Sequence, residues 1–148
     1  MPATDADKTA RFALLNRGPA AFVMPNPWDA GTAQRLAKLD FAALGRRDGE
    51  VPCDEALAHA RAIVLATDLP VAADLENGFG HTPTDAALTI RLAGEVGLCG
   101  GSTEGASGEA AQPLYDFNHA VDRVAAAEAE REVSEVSESG TFGYIDRL

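Results

Sequence analysis

Short apolar runs alternate with helical stretches along most of this chain, which restricts it to α/β architectures built on a mostly parallel sheet. Ala21-Phe22-Val23-Met24 reads as a buried strand closed by Pro25-Asn26-Pro27. Phe41 to Leu44, Val71 to Leu75 and Leu98 to Thr103 read as three more, the last weakened by Gly100-Gly101. Helical spacing fills the intervals. Thr4 or Asp5 caps a helix running to about Asn16, with Phe12 and Leu15 inward. Asp29 caps a second, which carries Ala30, Ala33, Leu36 and Ala37 on one face. Asp54 opens a third, with Leu57, Ala60, Ile63 and Val64 in step. Thr84 starts a fourth, with Leu88, Leu92 and Val96 in register, and a long helix spans about Tyr115 to Val133. Thr141 to Leu148 is left as a short aromatic tail. About four β/α units result. At 148 residues and 46% hydrophobic content the chain buries one modest core. No linker divides it, so residues 1–148 read as a single domain.

A net charge of −11 gives no electrostatic footprint for nucleic acid or for an anionic membrane surface. Most of the acids serve solubility, and a minority are free to hold a cation. Cys53 and Cys99 lie far apart with no CxxC spacing, which fits a reducing cytosol rather than a disulfide framework. Met1 to Asp5 shows no basic region before an apolar run, and no stretch approaches the ~18 apolar residues of a membrane span. The expected location is cytoplasmic.

The sharpest local feature is Asp74-Leu75-Glu76-Asn77-Gly78-Phe79-Gly80, which ends a buried strand and enters a glycine-rich turn. Residues two apart on a strand share a face, so Asp74 and Glu76 project together. Two adjacent carboxylates repel, and one is driven to its protonated form unless a cation neutralises them. A hard cation such as Mg2+, which takes oxygen ligands and keeps several waters, resolves this. Two solvated acids at a loop mouth are the plainer alternative. Asp48, after the second strand, and Glu104, after the fourth, add acids that converge on one mouth in a parallel barrel. His81, just past Gly80, is either a proton-transfer group or a polar loop residue. His119 falls on the late helix, away from the strand ends, and Trp28 is expected to pack at the edge of the first strand.

Ala73 to Gly80 resembles the metal-binding strand of the isocitrate lyase/phosphoenolpyruvate mutase superfamily. Asn26-Pro27-Trp28-Asp29-Ala30 is similar to the segment after that family's first strand, and Arg47-Asp48-Gly49-Glu50 to its second acidic motif. Gln112-Pro113-Leu114-Tyr115-Asp116 resembles a motif before its next helix. The likeness is strongest over residues 11–130, is closest to the short, poorly characterised members, and returns at 140–148, which resemble the family's C-terminal end. It implies a partial TIM-type (β/α) barrel, internally shortened, since a complete barrel takes about 250 residues. A substrate segment between Leu44 and the Arg47-Asp48 motif, the paired-lysine loop followed by Cys-Gly-His, and a later arginine have no counterpart here.

The resemblance further implies a C–C or C–P bond lyase or mutase, acting on a small 2-oxo or phosphono carboxylate through an enolate. Mg2+, with Mn2+ as a substitute, is then held by Asp74 and through waters by Asp48, Glu76 and Glu104. Asn77 and Gly78 shape the substrate side of the turn, with Arg47 beside it. The other reading is an inactive truncated relative that keeps at most cation or partner binding. Half a barrel leaves two strand edges and an apolar face open, so self-association is expected.

Overall fold

Three of the helices begin where a hydroxyl and a carboxylate sit three residues apart. In the computed structural model, which describes residues 2–39, 41, 43–46, 51–136 and 143–147, Thr4 and Asp7 form a capping box on α1 (Asp5–Arg17). Asp29 and Thr32 do the same on α2 (Ala30–Ala37), and Thr82 and Asp85 on α4 (Pro83–Glu95). Each box satisfies amide donors that the first helical turn leaves without carbonyl partners. Hydrogen bonds from Thr4, Thr32 and Thr82 respectively hold the Asp7, Asp29 and Asp85 carboxyls below the usual carboxylate range. The ionised caps therefore favour the folded state above that range, and their contribution fades as pH drops through the lowered folded values. Thr82→Ala is expected to remove about 1 kcal/mol of stability, read as a lower urea midpoint.

The strands are β1 (Leu44–Arg46), β2 (Val71–Asp74), β3 (Gly100–Glu104) and β4 (Gly143–Arg147). They form one parallel sheet in the order β1-β2-β3-β4. Helices α3 (Cys53–Val64), α4 and α5 (Phe117–Val136) make the three crossovers. Consecutive strands are neighbours throughout, so the sheet winds in one direction, as a barrel does, with no reversal of the doubly wound kind.

Alternation along β2 splits the core in two. Val71, Ala73 and Leu75 join Leu57, Ile63 and Ile90 of α3 and α4. Ala72 turns to the other face and meets Phe12 of α1, Ala43 and Cys99. α1 is fastened there by Lys8, only 6% exposed, whose Nζ donates to the carbonyls of Val64 at 3.2 Å and Thr67 at 2.8 Å. These close the C-terminal end of α3, where a cation is favoured.

Several expectations need correction. Residues 21–24 form no strand: Phe22 and Met24 pack toward Phe12 while Val23 is 69% exposed. The alternation is present, but the segment joins no ladder among the described residues, and periodicity does not reveal whether a pairing edge is available. Instead the tail supplies the fourth strand, pairing with β3 from Gly143 to Arg147. On α4 the fully buried stripe is Ala86, Thr89, Ile90 and Ala93; Leu92 and Val96 pack half-buried against the core as expected, whereas Leu88 is 41% exposed. Trp28 does not pack and is 80% exposed. Among the described residues no helix is long and apolar enough to cross a membrane, and both cysteines are free thiols.

Candidate active site

The C-terminal ends of β2 and β3 place two acids on one side of the sheet. Asp74 shares the face of Ala72, and the parallel register sets it beside Ser102. Glu104, two residues beyond Ser102, follows the same face. The ladder continues one step past the strands, with Leu75 N–H donating to Ser102 O at 2.8 Å and Glu104 N–H to Glu76 O at 2.7 Å. Glu76 therefore sits on the same rim, and its own N–H is taken by Asp74 Oδ1 at 3.1 Å. Asp48 and Arg47 lie outside the described residues, and among those described no three His, Cys, Asp or Glu side chains cluster closely enough to cage an ion. The donor chemistry still suits Mg2+, which asks for one or two carboxylates and fills the rest of its shell with water.

Behind this rim the turn from Leu75 to Thr82 is strained and firmly tied. Glu76 and Phe79 adopt left-handed φ values of 52° and 53°, and Gly78 one of 76°. Such conformations in residues with side chains persist only where the surroundings fix them. Here four successive carbonyls are bound. Leu75 O accepts from Gly78 N–H at 2.8 Å and Glu76 O from Glu104 N–H. Asn77 O accepts from the Arg123 guanidinium, and Gly78 O from Thr89 Oγ1 at 2.7 Å. Arg123 also donates to Thr82 O at 3.1 Å and is itself 4% exposed. Gly80 admits no side chain, because a Cβ there would lie 2.5 Å from Asp85. Gly80→Ala is therefore expected to push Asp85 off its cap and cost at least the ~1 kcal/mol of a lost cap, measured by thermal melting.

Residues 105–116 form a closed loop beside this turn, joined by the Ala106–Leu114 bridge and by Tyr115 N–H to Gly105 O at 3.0 Å. The closure sets Tyr115 against the acidic turn. Its hydroxyl lies 3.3 Å from Asn77 Nδ2 and 2.9 Å from His81 Nδ1. Its ring carries the Arg123 guanidinium 4.5 Å from the centroid. His119 Nε2 reaches His81 O at 2.7 Å, so this residue is at the mouth and not away from it as expected. His81, Glu109, Gln112, Tyr115, Asp116 and His119 line most of an open cavity of about 520 Å³. Tyr115 also borders a small crevice beside Glu104.

Asn77, Gly78 and His81 lie along this turn, and Tyr115, Thr89 and Arg123, which the sequence did not single out for the site, hold it. His119 and Arg123 lie four residues apart on α5, and Tyr115 precedes that helix by two positions.

The family model for phosphoenolpyruvate phosphomutase matches residues 12–138. A candidate lyase/mutase from Burkholderia cenocepacia J2315 superimposes with a TM-score of 0.87 at 38% identity, over 97% of this chain and 54% of that one. A candidate phosphonomutase from the same organism gives 0.80 at 31% identity, over 94% and 59%. 2,3-Dimethylmalate lyase, at 24% identity and a TM-score of 0.78, shares the fold over 98% of this chain and 53% of its own. The chain spans little more than half the length of these solved structures. No curated protein matches it.

Proposed function

Because this chain belongs to the phosphoenolpyruvate phosphomutase family, we propose that it carries a magnesium-dependent lyase or mutase site for a small 2-oxo or phosphono carboxylate. The observation that carries this reading is the emergence of Asp74 and Glu104 from one face of adjacent parallel strands, with Glu76 on the tied turn between them. Asp74 is the principal ligand for Mg2+ or Mn2+, and Glu76, Glu104 and Asp48 act through waters. When bound, the cation supplies positive charge beside the oxygen on which an enolate gathers its charge. The chain's own contribution is placement. Arg123 and Thr89 fix the turn, so Asn77 and Gly78 offer a rigid wall to the substrate, with Arg47 as a further contact.

The alternative is a binder without turnover; the chain spans 54% and 59% of its two Burkholderia relatives. Thermal melting with Mg2+, then with oxalate as an enolate mimic, separates assembled from vestigial. A ligand that binds only the folded state adds about 2.7 kcal/mol at a hundredfold excess over its dissociation constant. A melt indifferent to both removes the proposal. A melt raised by both, followed by no pyruvate from a panel of malyl, oxalyl and phosphono acids, selects the binder. Self-association through the edge strands β1 and β4 belongs to either reading, and a monomer in sedimentation velocity at high concentration would remove it.

A further inference from the structure

The hydrogen bonds around Tyr115 can be ordered by donor, and the order has chemical content. Ser107 O only accepts, so the Asn77 atom 3.2 Å from it is the amide nitrogen. That nitrogen also donates to Tyr115 Oη, which leaves the phenol's single proton available to His81 Nδ1 when the imidazole carries its own proton on Nε2. A neutral His81 whose Nδ1 accepts carries its own proton on Nε2, the nitrogen 4.0 Å from Glu109 Oε1 in the open cavity. His119 is fixed in the same way, since its Nε2 can only donate to His81 O.

We infer that Tyr115 and His81 form a proton relay that serves the cavity between the β2–α4 and β3–α5 loops. The inference rests on the enolate chemistry proposed above, because an enolate leaves as pyruvate only after its carbon takes a proton. His81 Nε2–H gives that proton while the Tyr115 Oη–H proton moves to Nδ1, so the imidazole never becomes charged. The negative charge passes from the enolate to the phenolic oxygen. There the Asn77 amide donates to it and the Arg123 guanidinium lies over the ring. Water in the open cavity gives a proton to Nε2 as Nδ1 returns its own to the phenolate, and the hydroxide left behind carries the negative charge into solvent. This assigns work to Arg123, a buried cation with two carbonyl partners. The charged and titratable groups facing His81 are Tyr115 and Glu109 of the loop, His119 and Arg123 of α5, and Asp85 of α4.

Long-range proton–nitrogen NMR of the imidazoles tests the proton order without any turnover. In the full chain, His81 is expected to show its proton on Nε2 and a hydrogen-bonded Nδ1. Tyr115→Phe, which keeps the ring on Arg123, is expected to shift the Nδ1 signal and leave His119 unchanged as a sign of intact folding. A proton on Nδ1 in the unaltered chain, or no Nδ1 shift in Tyr115→Phe, overturns the relay. The rate of pyruvate release then probes its use. Tyr115→Phe, which takes away the proton source for Nδ1, should slow it while the fold is kept. His81→Gln should lose roughly 10²–10⁴-fold. An unchanged rate in Tyr115→Phe overturns the relay even with the tautomer correct. No pyruvate from the unaltered chain sinks the enolate reading alone, and the imidazole spectra then decide the proton order by themselves.

Discussion

Asp74→Ala is expected to erase the Mg2+-dependent rise in melting temperature completely, along with any metal-dependent pyruvate release. Asp74 ends β2 on the face it shares with Ser102, and one of its oxygens accepts from Glu76 N–H. The substitution removes both the proposed principal ligand and an anchor of the left-handed turn. Asp74→Asn separates the two losses, because it keeps an oxygen for the Glu76 amide while discarding the charge. The asparagine variant should therefore melt near the unaltered chain without metal and fail to respond to Mg2+. A full Mg2+ response in either variant would place the cation elsewhere.

Phe12→Ala should produce the largest loss of stability, about 3–5 kcal/mol, as a lower urea midpoint with an unchanged slope. Phe12 is 1% exposed and is the largest fully buried side chain in the cluster on the Ala72 face of the sheet. Its fully buried partners Ala43, Ala72 and Cys99 are too small to fill the gap, which leaves only the half-buried Leu15, Phe22 and Met24 at its margin. Against total stabilities of about 5–15 kcal/mol for ordinary domains, this is a large share. An effect near that of a surface substitution would mean that α1 does not cover this face in solution.

The parts of the fold that could be read from sequence are those decided within a few residues. Thr4, Asp29 and the Val71–Asp74 strand are local signals, and each appears where expected. What escaped depends on partners distant in the chain. Whether residues 21–24 or 143–147 become a strand is settled by which of them finds a neighbouring edge, and periodicity is blind to that. The site divides in the same way. The acids of the turn announce themselves by spacing, whereas Arg123 matters because its guanidinium reaches Asn77 and Thr82 over 41 or more positions of sequence. Glu76 and Phe79, both left-handed, carry no sequence mark of it, since neither is glycine or asparagine.

The four bound carbonyls of residues 75–78 also bear on time. Their partners come from the turn itself, from β3, from α5 and from α4, so the segment cannot swing out without releasing all of them together. Its opening becomes a slow, cooperative event rather than the fast flicker usual for an exposed loop. A ligand at this rim then meets a surface whose ordering entropy was already lost on folding, and little of its binding energy is drawn off to organise the turn.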